Sequence, residues 1–73
     1  MNNLFYFIII DRTRKLFSIS EPIWDDTWLV HRVCELHINA YHAPVIEGKK
    51  EELIQFHQDD GFELVETDII LDF

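Results

Sequence analysis

Leu4-Phe-Tyr-Phe-Ile-Ile-Ile10 is apolar at all seven positions and rich in aromatic and β-branched side chains. Successive side chains of a strand point to opposite faces, so a strand with one wet face shows a polar residue at every second position. An unbroken apolar run instead reads as a strand covered on both faces. It therefore belongs in the middle of a sheet.

Working outward, Asp11-Arg-Thr-Arg-Lys15 is a polar reversal, and residues 16–20 alternate so that Phe17 and Ile19 face one way while Ser18 and Ser20 face the other. The pair predicts a hairpin. Ser20-Glu21-Pro22 ends it, because proline has no ladder donor. Asp25, Asp26 and Thr27 are then candidate N-caps. From Trp28 to Tyr41, Leu29, Val33, Leu36 and Ala40 recur at three-and-four spacing, flanked by Val30 and Cys34, with Arg32, Glu35 and Asn39 on the polar side. That spacing predicts a helix, although residues 28–33 also admit a strand. Ala43-Pro44 ends the helix, since the residue before proline is pushed out of the α region.

Residues 49–58 read as a shorter helix, with Gly48 as N-cap, Glu51 in the capping-box position, and Leu53, Ile54 and Phe56 as its apolar contribution. Gly61 suits a left-handed stop. Residues 62–73 alternate: Val65, Thr67, Ile69, Leu71 and Phe73 fall on one face, and Leu64, Glu66, Asp68, Ile70 and Asp72 on the other. A long closing strand is expected. The expected fold is α+β: a single domain over residues 1–73, with a three-stranded antiparallel sheet in the order β-β-α-α-β and two helices on one face.

That arrangement leaves one side of the central strand uncovered. The ten aromatic rings also exceed what one side of so small a sheet encloses. A homodimer through the sheet is expected to cover the excess, with Tyr6, Ile8 and Trp24 at the contact.

Composition sets the class. A chain of 73 residues with 48% hydrophobic and 27% charged content folds as one small domain, burying about 60% of its unfolded surface. Cys34 is the sole cysteine, so no internal disulfide forms and a reducing, cytoplasmic setting is expected. The apolar run is far shorter than the roughly 20 residues of a membrane helix. Met1-Asn-Asn3 lacks the side-chain cation of a signal-peptide start. No membrane association is expected.

Fourteen acidic residues outweigh six basic ones for a net charge of −8, and the imbalance lies beyond residue 20, since Arg12, Arg14 and Lys15 face only Asp11 in the first twenty. A phosphate backbone requires clustered cations, so direct nucleic-acid binding is not expected. A basic protein partner is. Its surface is predicted at Asp59, Asp60, Glu63, Glu66, Asp68 and Asp72, a stretch without a base.

His31, Cys34, His37 and His42 are ligand types suited to zinc or copper. On a regular helix, however, His37 lies about 120° around from His31, so no metal and no cofactor is expected. Cys34 with a neighbouring histidine suggests a nucleophile and base, but a mid-helix thiol lacks the helix start or cation that lowers its pKa, and a buried Cys34 is the simpler expectation. The EF-hand loop, the P-loop, the dinucleotide-binding glycine motif and the Gly-x-Ser-x-Gly elbow are absent. The chain is therefore expected to be a non-catalytic acidic interaction protein that self-associates and docks a basic protein. The alternative is a small metal- or ligand-binding domain built on His31, Cys34, His37 and His42.

Overall fold

The computed structural model describes residues 3–72. Strands β1 (Phe5–Asp11) and β2 (Leu16–Ile19) form the hairpin, followed by α1 (Thr27–Leu36), β3 (Asn39–Pro44), α2 (Lys49–Asp59), β4 (Glu63–Leu64) and α3 (Thr67–Leu71). The sheet order is β3-β1-β2-β4. β1 pairs antiparallel with β2 and β3, with Ile10 opposite Phe17 and Ile8 opposite Tyr41, while β2 runs parallel to β4. The class is α+β as expected, but the sheet is mixed and four-stranded rather than antiparallel and three-stranded.

β1 lies inside the sheet, and helices cover both its faces. Tyr6, Ile8 and Ile10 pack with Phe17, Ala43 and Phe62 beneath Leu53 and Ile54 of α2. Phe7 and Ile9 pack on the other side with Leu29 and Val33 of α1 and Ile70 and Leu71 of α3. Each fully buried Val, Leu, Ile or Phe among them gains about 1.5–3 kcal/mol from leaving water. The expectation of two helices on one face is thus corrected to three helices divided between two faces. Tyr6 and Ile8, expected at an oligomer contact, are 9% and 0% exposed within the single chain, whereas Trp24 is 66% exposed. Among the described residues no helix is long and apolar enough to cross a membrane.

Helix α1 stops five residues before Tyr41 because His37 takes a left-handed conformation, with φ 57°. The His37 N–H donates to the Cys34 carbonyl and the Ile38 N–H to the Val33 carbonyl, the paired bonds of a Schellman stop. Ile38 and Val33 share a core cluster, which supplies the hydrophobic contact such a stop usually carries. Released from the helix, residues 39–44 pair along β1, and Pro44 ends a strand rather than a helix. Gly61, at φ 90°, closes α2 in the same way, as expected.

The closing strand is also corrected. Only Glu63 and Leu64 pair, and residues 67–71 form a helical turn instead. Ile70 and Leu71 are adjacent and both fully buried; a strand would send one of them into solvent. Phe73, the last residue of the expected strand, lies outside the described residues. Two arginines hold α3 in place. Arg14 donates to the Ile70 carbonyl at 2.8 Å, and Arg32 donates to the Leu71 carbonyl at 3.0 Å. Arg14 also donates to Asp11 Oδ2 at 2.6 Å, while Asp11 Oδ1 accepts the Thr13 and Arg14 backbone N–H groups. Burial works to raise the Asp11 pKa, but these bonds outweigh it and hold the carboxyl below its ordinary value.

Candidate functional site

The segment after β2 does not leave the sheet at once. Ser20 Oγ accepts the Phe7 N–H at 2.9 Å, and Phe5 exchanges backbone hydrogen bonds with Ile23. Pro22 sits within this extension, where a missing donor is tolerated because the strand is ending. Ile23 is thereby held beside the start of α1 and the start of α3. The three segments enclose a pocket of about 330 Å³ whose apolar walls are Ile23, Trp28 and Leu29 and whose floor includes Thr67. That volume is near the small end of ligand pockets.

Three carboxylates stand at this pocket, Glu21, Asp25 and Asp68, and among the described residues no lysine or arginine lines it. Asp25 Oδ1 accepts from the Thr27 hydroxyl at 2.7 Å and from the Thr27 N–H at 3.0 Å. The hydroxyl bond, with the N–H bond behind it, lowers the Asp25 pKa and keeps it ionised. Glu21 reaches Lys50 at 3.4 Å on the far side, an exposed contact of little strength. Trp28, which lines the pocket, is 57% exposed.

The six acids predicted as a partner surface are spread over the end of α2, β4 and the two ends of α3. Asp59 accepts from Gln55 Nε2 near the end of α2, Asp60 caps that helix, Glu63 is in β4, Glu66 and Asp68 begin α3, and Asp72 follows it. Asp68 alone among them lines the Trp28 pocket, where it meets Glu21 and Asp25, two acids outside the predicted set.

The histidines and cysteine also separate. His31 faces Glu35 at 3.6 Å on the outside of α1, and Cys34 is exposed rather than buried as expected. His37 stops the helix. His42, on β3, donates from Nε2 to Asp26 Oδ2 at 2.5 Å, with its ring edge-on to Phe5 and Phe7. Among the described residues, no three His, Cys, Asp or Glu side chains come together as metal ligands.

His57, which the sequence reading passed over, is the buried one at 7% exposure. Its Nε2 shares a 2.5 Å hydrogen bond with the Tyr41 hydroxyl, and rings of Phe17, Phe56 and Phe62 surround it. Burial lowers its pKa against an opposing pull from Asp60, and burial raises that of Tyr41. The imidazole is therefore neutral near pH 7. The one signal for it was parity: Tyr41 lies opposite Ile8 once residues 39–44 are recognised as a strand.

Comparison of the chain with protein families, with characterised proteins and with solved structures found no match.

Proposed function

We propose that this protein is a non-catalytic binding module that docks a basic partner segment in the Trp28 pocket. An apolar anchor of the partner enters between Ile23, Trp28 and Leu29, and lysines or arginines beside that anchor meet Glu21, Asp25 and Asp68. The observation that carries this reading is the coincidence of apolar walls with three carboxylates and no lining cation. Burying the anchor supplies the non-directional part of affinity. The carboxylates select the sign of the charge. A net charge of −8 steers a basic segment toward the protein before contact.

The test is titration with a synthetic peptide that places leucine or phenylalanine between lysines, followed by backbone chemical shifts. Shifts centred on Ile23, Trp28, Leu29 and Thr67 are expected, with much weaker binding when the lysines are replaced by glutamine. Equal binding of the neutral peptide, or shifts that map elsewhere, would remove the reading. A second copy of the chain is the competing occupant, because Trp24 and Ile69 add exposed apolar surface at 66% and 53%. Sedimentation at micromolar concentration distinguishes the two: a dimer that the peptide fails to dissociate places the self-contact elsewhere.

A further inference from the structure

A second cavity, of about 290 Å³, opens on the α2 face of the sheet and is more enclosed than the Trp28 pocket. Its floor is the Tyr41–His57 pair, its apolar sides are Ile10, Phe56 and Phe62, and its polar rim is Arg12, Asn39 and Asp60. The topology explains the grouping. Asn39 lies opposite Ile10 and Tyr41 opposite Ile8, on the face that α2 covers. Arg12 follows directly in the hairpin turn, and Asp60 caps α2 three residues after His57.

Arg12 stands apart from the other described cations. Arg14, Arg32, Lys49 and Lys50 each bond a carboxylate or a carbonyl, and Lys15 lies 5.0 Å over the Phe62 ring. Among the described residues, no hydrogen bond or ion pair engages Arg12, in a chain whose net charge is −8. Nor does any ion pair join it to Asp60, although both line the same cavity. An acid and a base held in one cavity without meeting each other are complementary to a ligand that carries both charges. A simple carboxylate would face Asp60, and a simple amine would face Arg12.

We infer that this cavity binds a small zwitterion of amino-acid size with an apolar side chain, its carboxylate on Arg12, its ammonium on Asp60, and its apolar part against Phe56 and Phe62. The volume is that of about ten water molecules at roughly 30 Å³ each, which suits about nine to twelve non-hydrogen atoms. A planar guanidinium recognises a carboxylate by two parallel hydrogen bonds. The Asn39 amide carries both donors and an acceptor for the ligand's polar end. The floor is a neutral hydrogen-bonding pair, so it adds direction without competing for either charge.

The experiment follows the His57 ring carbon and proton resonances while L-leucine, L-methionine or L-phenylalanine is added to millimolar concentration. Two control arms use 4-methylpentanoate, which lacks the ammonium of leucine, and 3-methylbutylamine, which lacks its carboxylate. Saturable shifts at His57 and Phe62 are expected with at least one amino acid, and binding about tenfold weaker or more in both control arms. Arg12→Gln lies in an exposed turn and leaves the fold intact, as its melting curve will show; it is expected to weaken amino-acid binding by about tenfold. Asp60→Asn should act in the same direction. Absence of shifts at His57 with all three amino acids overturns the inference. So does equal affinity for a control compound, or binding unchanged by Arg12→Gln.

Discussion

The two cavities lie on opposite faces of one sheet and are built in opposite ways. At the Trp28 pocket the walls are apolar and the charges stand at the rim in water. At the Tyr41–His57 cavity the polar groups reach the floor, where His57 is 7% exposed. An exposed charge adds little to folding, so it can be altered for binding alone. A buried polar group is tied to folding, because removing its partner leaves it unsatisfied in a place without water. Changes at the first cavity should therefore alter recognition without stability, as should changes at the exposed Arg12 and Asp60 of the second, whereas a change at its buried His57 should alter both.

Truncating a core side chain tests whether the two regions are independent at all. Leu71 is fully buried in α3 and packs with Phe7 and Ile9 beneath the Trp28 side of the sheet. Leu71→Ala should cost about 2–5 kcal/mol, a large share of the roughly 4–11 kcal/mol available to a domain of this size. Because β1 contributes to both clusters, tryptophan fluorescence and the His57 resonances should be lost at the same urea concentration. Separate transitions would show that the two faces unfold as independent units, contrary to the shared strand.

Tyr41→Phe comes next. It removes the hydroxyl that His57 Nε2 meets at 2.5 Å and should destabilise the fold by about 1–3 kcal/mol, read as a lower urea midpoint. Tyr41 is 37% exposed, so a shift below about 0.3 kcal/mol would show that water takes the place of its hydroxyl at the His57 ring.

The pH dependence follows from the lowered His57 pKa, caused by burial against the pull of Asp60. The unfolded chain takes up a proton near the ordinary value of about 6.5, before the folded chain does. Stability from neutral His57 is therefore present above that value and is lost as pH falls through it toward the folded pKa. The urea midpoint should fall as the pH drops below about 6.5, and His57→Gln should flatten that slope. Asp11 acts further into acid: its lowered pKa gives stability that is lost as the pH drops below the ordinary carboxylate range. An unchanged slope in the histidine variant would assign the dependence to other groups.

Much of this was legible in advance, and the misreadings share a cause. The unbroken run through Ile10 located the central strand, the alternation after Lys15 the hairpin, and Gly61 the end of α2. The stop at His37 was invisible because a non-glycine residue adopts the left-handed conformation there, held by tertiary contacts of Val33 and Ile38 that no local propensity encodes. Missing that stop hid β3, and hiding β3 hid the cavity, because Tyr41 faces His57 only from a strand. Alternation in residues 65–72 was equally compatible with one helical turn, and burial of both Ile70 and Leu71 decided between them. Trp28, read only as the first residue of a helix, lines the same pocket as Asp68 because the starts of α1 and α3 lie together. Single residues carry no signal of that kind.

At the rim of the Trp28 pocket a single charge should have a slight effect. Asp68 is exposed, and among the described residues its side chain has no hydrogen-bond or ion-pair partner. Asp68→Asn should therefore leave the melting temperature unchanged within about 0.5 kcal/mol of stability. One exposed charge at a pocket contributes about 0.2–1 kcal/mol to a basic peptide, or roughly 1.5-fold to fivefold in affinity. Most of that loss should appear as slower association, since rim charges steer encounter. Raising salt shortens the Debye length from about 10 Å at 0.1 M toward 3 Å at 1 M, so the difference between wild type and Asp68→Asn should shrink as salt increases. A variant effect independent of salt would mean that Asp68 acts by shape or by holding the start of α3. The contrast between a rim charge that serves recognition and a buried histidine that serves folding would then fail at its own test residue.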